Sequence, residues 1–181
     1  IGAFHPPAAV IADPRLLDTL PKREFRAGLY EVVKYGVIAS RALFERIAID
    51  LSRIFARETD VITEIVTASC WIKAEVVAAD ERETGRRRVL NFGHTTGHAL
   101  EAVTHYRRLR HGEAVAYGML VAAHIGASRG LLDSDDHTAL TDLIGRIKAM
   151  FHMIPLILET DSSRGVSMMI QDHGIVPQVE G

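Results

Sequence analysis

Apolar residues recur every three or four positions along most of the chain, which is the spacing of one face of an amphipathic helix. The predicted helices cover about residues 22–38, 41–56, 60–84, 112–130 and 134–150. Ser40 and Thr59 are the expected N-caps of the second and third helices, because a hydroxyl can accept a bond from a free backbone N–H. Only the apolar run 10–12, before the turn at Asp13, suggests the end of a strand. The pattern therefore predicts a mainly α fold.

Composition narrows the class of protein. The 181 residues suffice for one domain with a sizeable core, and 48% hydrophobic residues argue against disorder. A net charge of −2 gives no indication of a nucleic-acid or membrane-surface partner. No apolar stretch has transmembrane length. Residues 1–7 lack a methionine and the basic start of a signal peptide, so they are not expected to be one, and the chain is expected to be the middle of a larger protein. The single cysteine, Cys70, is predicted to be buried, and a reducing cytoplasm is the expected location.

Two histidine-containing stretches carry the candidate chemistry: NFGHTTGHALE over 91–101 and HGEAVAYGM over 111–119. With Glu31, the histidines His94 and His111 can offer two imidazoles and a carboxylate to one divalent cation. Three protein ligands leave the open position that a catalytic zinc needs. Alternatively, His94 and His98 form an i,i+4 ligand pair on one helix face, or they merely cap and pack.

Charged residues near these stretches allow more than one interpretation. Glu31 and Lys34 are either an ordinary ion pair within a helix or a metal ligand beside a cation that grips an anionic substrate. The run Arg86–Arg88 either binds phosphate or carboxylate through one or two guanidinium groups or is a solvated basic turn. Lys73, followed by acidic residues, fits a solvated helix face, and the acidic start of the helix at 134 fits the helix dipole.

Three segments together resemble one enzyme family: LPKREFRAGLYEVVKYGVI over 20–38, IKAEVVAADERETGRRRVLNFGHTTGHALE over 72–101, and 111–119. In this order and spacing the chain is similar to 3-dehydroquinate synthases. The resemblance implies an enzyme with an N-terminal α/β NAD-binding domain and a helical C-terminal domain. Residues 1–19 would be the end of the first domain and 20–181 the helical metal- and substrate-binding domain. The rest of the NAD domain is expected to be absent, and no glycine-rich phosphate loop is found.

The resemblance also assigns roles to individual residues. It implies that Zn²⁺ or Co²⁺ is bound by Glu31, His94 and His111, which makes His98 a substrate-site residue. The residues that it places against the substrate are Lys34, Lys73, Arg87, Asn91 and His98. The segment that it places against NAD is Leu16, Leu17, Asp18 and Thr19.

The implied reaction starts from 3-deoxy-arabino-heptulosonate 7-phosphate, a sugar phosphate. It comprises NAD-dependent oxidation of the C5 hydroxyl, elimination of phosphate, reduction, ring opening and an aldol closure to 3-dehydroquinate. A cytoplasmic homodimer is the expected full-length form. Two alternatives remain, a sugar-phosphate cyclase with another heptulose substrate and a non-catalytic helical remnant. A metal-dependent alcohol dehydrogenase shares the two-domain plan, but the segment 31–34 suits the metal site of such an enzyme poorly.

The sequence departs from the family pattern in four places. Tyr30 replaces a small residue, Thr96 an aromatic one and Arg110 an apolar one. No lysine follows Lys148, so the basic C-terminal segment of the family, with a lysine that helps to bind substrate, is not found. The tail after about residue 155 is therefore expected to be divergent.

Overall fold

The chain is represented by a computed structural model that describes residues 8–81 and 85–150. Within these ranges the regular structure consists of helices, without strands, so the predicted mainly α fold is confirmed. The α-helices are α1 (Lys22–Ala39), α2 (Arg41–Ile49), α3 (Leu51–Phe55), α4 (Thr59–Ala79), α5 (His94–Val103), α6 (His111–Ser128) and α7 (Ser134–Ala149). Two short 3-10 helices, Pro14–Thr19 and Arg86–Asn91, precede α1 and α5. The predicted divergent tail lies outside the described residues.

Several predicted boundaries were wrong. The second helix breaks at Asp50, where the backbone leaves the helical conformation with φ −95° and ψ 20°, so α2 and α3 flank this residue. The third helix ends at Ala79 and not near Gly85, because the Asp80 side chain accepts bonds from backbone N–H groups that follow it. The run 10–12 belongs to no strand, since the described part of the chain offers no strand to pair with it.

Helix caps were predicted with mixed success. The Ser40 hydroxyl accepts a bond from the Leu43 N–H at 3.2 Å, as expected of an N-cap. Thr59 is the first residue of α4 and not its cap, which is Glu58. Asp133 caps α7 by accepting from the Asp135 N–H at 2.7 Å. A helix begins where its first free N–H groups find acceptors, and neighbouring side chains compete for that role.

Helix α1 lies against α2, α4 and α6 and forms the centre of the bundle. One large cluster of buried residues joins these helices to α7. Its fully buried members include Val33, Ile47, Val61, Met119 and Ile147. Helix α5 packs on α6 beside a smaller cluster around Leu100 and Leu109. The bundle thus holds α1, α5 and α6 side by side.

A buried carboxylate ties the start of α6 to α1. Glu113 is 1% exposed and accepts bonds from Arg23 at 2.8 Å and from Arg26 at 2.7 Å. The Arg110 N–H donates to the same carboxylate at 2.9 Å. Burial alone would raise the pKa of Glu113, but these donors outweigh burial and lower it. The charged cluster therefore fixes where α6 begins.

The outer face of α4 is exposed. Trp71 is 67% exposed, and Cys70 beside it is also exposed. The prediction of a buried Cys70 was wrong, because the helical period turns this position away from the core that Ile65 and Ile72 enter. None of the described helices is both long enough and apolar enough to span a bilayer.

Candidate metal and substrate site

Glycine contacts bring three helices together at the site. Glu31 lies in α1, His94 is the first residue of α5, and His111 is the first residue of α6. A Cβ atom on Gly118 of α6 would lie 1.8 Å from the carbonyl oxygen of Gly93, which precedes His94. The side chains thus converge because the backbones approach more closely than any other residue would allow.

The second close contact joins α6 to α1. A Cβ atom on Gly112 would lie 1.9 Å from the Ala27 carbonyl oxygen, one helical turn before Glu31. Gly93 itself has a φ of +80°, a conformation that favours glycine. Gly93 and Gly112 each adjoin a histidine of the site, so the close backbone contacts that only glycine permits lie next to the candidate ligands.

The three predicted metal ligands do meet. Oε1 of Glu31 lies 3.7 Å from Nε2 of His94 and 3.7 Å from Nε2 of His111. All three ligand atoms lie within 4.8 Å of one another. Ligand atoms that bind one tetrahedral zinc at about 2.1 Å are roughly 3.4 Å apart, so the observed spacing is close to that of a zinc site.

One carboxylate oxygen of Glu31 shows whether the site suits a cation. Oε1 of Glu31 is buried and accepts no hydrogen bond, whereas Oε2 pairs with Nζ of Lys34 at 2.6 Å. A buried acceptor without a donor is costly unless something else satisfies it. Two imidazole nitrogens face this oxygen, and a set of two nitrogens and one carboxylate suits zinc. The residues therefore fit a divalent cation.

The histidine His94 is set up as a neutral ligand. Burial lowers its pKa, and the neighbouring positive charge of Lys34 lowers it further. Its Nδ1 lies 3.3 Å from the Phe92 carbonyl oxygen, which leaves Nε2 for the site. A neutral imidazole with a free Nε2 lone pair is what metal binding requires.

The positions of His94 and His98 bear on the hypothesis that they form an i,i+4 ligand pair. His98 is exposed, and its ring centroid lies 5.4 Å from that of His94 and 5.7 Å from that of His111. Among the described residues its ligand atoms group with Glu101 and His111, whereas His94 groups with Glu31 and His111. His98 therefore lies beside the group formed by Glu31, His94 and His111 and is not part of it. Its role towards substrate stays a prediction.

Two of the other predicted substrate residues, Arg87 and Asn91, come just before α5. Arg87 and Asn91 belong to the 3-10 helix Arg86–Asn91, which ends just before Gly93. Arg87 is the half-buried member of its triplet, and its guanidinium donates to the Glu81 carbonyl oxygen at 2.9 Å. Lys73 is exposed on α4. Their contact with substrate stays a prediction.

The predicted NAD segment forms most of the 3-10 helix Pro14–Thr19. Leu17 packs on the main core, whereas Leu16 is 73% exposed. Arg57 donates to the carbonyl oxygens of Asp18 and Leu20 and fastens the segment to the bundle. The contact of this segment with NAD stays a prediction.

The departures from the family pattern have structural roles. Tyr30 is 2% exposed in the core, and burial raises its pKa above the usual range. Thr96 is buried in α5. Arg110 precedes α6 and pairs with Glu24 at 2.6 Å.

Sequence reasoning missed Glu101. Its two carboxylate oxygens lie 3.2 Å and 3.3 Å from Nδ1 of His111. The signal was present, because positions 94, 98 and 101 follow the i, i+4, i+7 spacing of one helix face. The partner of Glu101 lies on the next helix, which spacing within one helix does not reveal.

Comparison with known proteins decides the family. A family model described as 3-dehydroquinate synthase C-terminal matches residues 28–174. The chain belongs to this family. A 3-dehydroquinate synthase from Solibacter usitatus is 49% identical over 144 residues, which are 80% of this chain and 40% of the relative. Another, from Geobacter metallireducens, is 47% identical over 159 residues, 88% of this chain and 42% of the relative.

These lengths show that the chain spans about two fifths of the curated 3-dehydroquinate synthases it matches. A solved 2-epi-5-epi-valiolone synthase from Streptomyces hygroscopicus, with NAD⁺ and Zn²⁺ bound, has a similar fold. The TM-score is 0.78 at 22% identity, over 95% of this chain and 48% of that one. This likeness concerns the fold alone, and it agrees with the C-terminal helical domain that the sequence predicted.

Proposed function

We propose that this chain forms the metal- and substrate-binding part of a 3-dehydroquinate synthase, converting 3-deoxy-arabino-heptulosonate 7-phosphate to 3-dehydroquinate and phosphate. The observation that carries the proposal is the buried Oε1 of Glu31, which lacks a donor and faces two imidazole nitrogens. It occurs in a chain that belongs to the 3-dehydroquinate synthase C-terminal family. The relatives are longer, so the whole reaction needs more than these residues.

In this proposal Glu31, His94 and His111 hold Zn²⁺ or Co²⁺. The cation supplies Lewis-acid polarisation of the substrate oxygen, and NAD supplies the hydride chemistry when both are bound. Lys34 fixes one carboxylate oxygen of Glu31 and so directs the other towards the imidazoles. The neutral state of His94 keeps its Nε2 lone pair available, because burial and Lys34 disfavour a second proton.

The remaining residues bind and orient the substrate. Lys34, Lys73 and Arg87 hold its anionic ends, since ammonium and guanidinium groups are the natural partners of phosphate and carboxylate. His98, exposed beside the two ligand histidines, accepts or returns a proton at an imidazole nitrogen. Asn91 helps to orient the substrate by hydrogen bonding. Correct orientation is a large share of the rate in a multistep reaction at one site.

The proposal includes an architecture. Residues 1–19 are the end of an NAD-binding domain, where Leu16, Leu17, Asp18 and Thr19 touch NAD, and residues 20–181 are the helical domain. The full-length enzyme is a homodimer that acts in the cytoplasm on a small sugar phosphate. Neither nucleic acid nor a membrane is a partner. The fold likeness to a protein solved with NAD⁺ and Zn²⁺ supports the cofactor pair.

The first test is zinc stoichiometry of the 181-residue chain beside Glu31→Gln. We expect one zinc per chain, lost or strongly weakened in the variant, because the amide cannot replace the carboxylate charge. Glu45→Gln, in an exposed pair with Arg41, is the matched control and should keep the zinc. Equal zinc content in Glu31→Gln and the parent chain would contradict the metal site.

The second test measures phosphate release. The chain is combined with NAD, zinc and the N-terminal part of the Solibacter usitatus relative, and 3-deoxy-arabino-heptulosonate 7-phosphate is supplied. Release that needs all components supports the proposal. Turnover of another heptulose phosphate alone would instead indicate a different sugar-phosphate cyclase. Zinc binding without any turnover would favour a non-catalytic remnant.

A further inference from the structure

The two ligand histidines are held in different ways. The His94 side chain is 15% exposed and has the Phe92 carbonyl oxygen 3.3 Å from its Nδ1. The His111 side chain is 48% exposed and sits on the first residue of a helix. An imidazole with this much freedom has two tautomers and two ring orientations. Something besides packing must present its Nε2 to the site.

Glu101 is placed to do this. The residue is 7% exposed, and both its oxygens lie at hydrogen-bond distance from Nδ1 of His111, at 3.2 Å and 3.3 Å. The opposite ring nitrogen, Nε2, lies 3.7 Å from Oε1 of Glu31. One imidazole thus stands between two carboxylates, one towards each nitrogen. A carboxylate is an acceptor only, so an Nδ1–H is the form of His111 that satisfies Glu101.

We propose that Glu101 is a positioning residue of the metal site, which holds His111 as its Nδ1–H tautomer and directs the Nε2 lone pair towards Glu31 and His94. The inference rests on the metal-binding part of the proposed function. A carboxylate behind a ligand histidine fixes the ring and makes its free nitrogen more basic. Glu101 therefore sets the affinity for the cation without touching it.

A competing arrangement uses the same atoms. His98, Glu101 and His111 also lie within reach of one cation, which would take Glu101 as a direct ligand. The buried oxygen without a hydrogen-bond partner belongs to Glu31 and not to Glu101. A cation on Nδ1 of His111 would leave that buried oxygen without a partner. The geometry therefore favours Glu101 as the support and Glu31 as the ligand.

The test measures zinc affinity by competition with a chromophoric chelator, together with the visible spectrum of the Co²⁺ form. Glu101→Gln, Glu101→Asp and Glu31→Gln are compared with the parent chain, and Glu75→Gln, an exposed residue of α4, is the control. We expect Glu101→Gln to weaken zinc binding about 10- to 100-fold. The Co²⁺ bands should shift but persist. Glu101→Asp should recover part of the affinity, because it restores the acceptor charge.

A direct readout concerns the tautomer. ¹⁵N chemical shifts of the His111 imidazole in the metal-free chain distinguish Nδ1–H from Nε2–H. We expect Nδ1–H in the parent chain and a mixture in Glu101→Gln, since an amide also offers donors. A purely structural role of Glu101 would change the unfolding midpoint without changing the tautomer, and that result would overturn the proposal.

The outcomes separate the two proposals. Zinc affinity in Glu101→Gln equal to that of the parent chain, with Glu31→Gln weakened, would overturn the role of Glu101 and leave the metal site intact. Loss of Co²⁺ in Glu101→Gln with binding retained in Glu31→Gln would make Glu101 a ligand and overturn both assignments. A parent chain that binds no metal would also overturn both. If Glu101→Gln fails to fold, the Glu101→Asp variant takes its place. The proposal is then overturned if Glu101→Asp and the parent chain bind zinc with equal affinity and His111 is the Nε2–H tautomer in both.

Discussion

The close approach of α5 and α6 at Gly118 makes a quantitative prediction for Gly118→Ala. The new Cβ would lie 1.8 Å from the Gly93 carbonyl oxygen and 2.7 Å from its carbonyl carbon. Ordinary contact begins near 3.4 Å, so the two backbones must separate by about 1.5 Å. Overpacking of this kind costs about 3 kcal/mol, because backbone cannot rotate away as a side chain can. Alanine returns up to about 1 kcal/mol through helix propensity.

The expected net loss is about 2 kcal/mol, or a fall of about 4–8 °C in the unfolding temperature of a chain of this size. Thermal and urea unfolding of the metal-free chain measure it. Gly28→Ala is the matched control, since Gly28 lies in α1 with nothing within 4 Å of a new Cβ. That control should be neutral or stabilising. If Gly118→Ala proves as stable as Gly28→Ala, the packing argument is refuted. Because Gly93 adjoins His94, the loss of stability in Gly118→Ala should be accompanied by weaker zinc binding.

Three further outcomes follow from the structure. Glu113→Gln should lower the free energy of unfolding by about 2–4 kcal/mol in urea unfolding, because the buried Arg26 and the partly exposed Arg23 lose their countercharge. An effect as small as that of Glu45→Gln would contradict this. Asp133→Ala should lower the free energy of unfolding by about 1 kcal/mol in the same assay, and Ser134→Ala should lower it less. The reverse order would show that Asp133 is not the N-cap of α7. Cys70 should react with a thiol reagent in the native chain, one equivalent per chain, and protection until unfolding would contradict its exposure.

Long amphipathic segments were predictable from the sequence alone. Helices α1 and α7 match the predicted spans within about one residue, because their apolar period is continuous and their ends carry clear stop or start signals. The break at Asp50 and the early end of α4 were not predictable. The early end of α4 depends on bonds that later backbone N–H groups donate to the Asp80 side chain, and the break depends on the backbone conformation at Asp50. Local period does not report such bonds.

The candidate site shows the same division. Spacing left the pair His94 and His98 open, and only the family resemblance selected Glu31, His94 and His111, whose nitrogen and oxygen atoms do meet. Glu101 escaped because its partner lies on another helix. The exposure of Cys70 escaped because small apolar residues occur on both faces of a helix whose core stripe is narrow. Contacts between helices are thus the part that a single sequence conceals.

The link between Arg23 and Glu113 joins residues that are 90 positions apart in the chain, and this separation bears on how the bundle assembles. Helices α5 and α6 are neighbours in sequence and close a short loop, whereas docking of α1 closes a long one, at an entropic cost of about 4 kcal/mol. We therefore expect the two imidazoles to come together before the carboxylate of Glu31 joins them. Only the fully docked state offers all three ligand atoms, and apparent metal affinity scales with the fraction of chains in that state. We therefore expect a substitution that loosens α1 from α6 to weaken metal binding even where it touches no ligand.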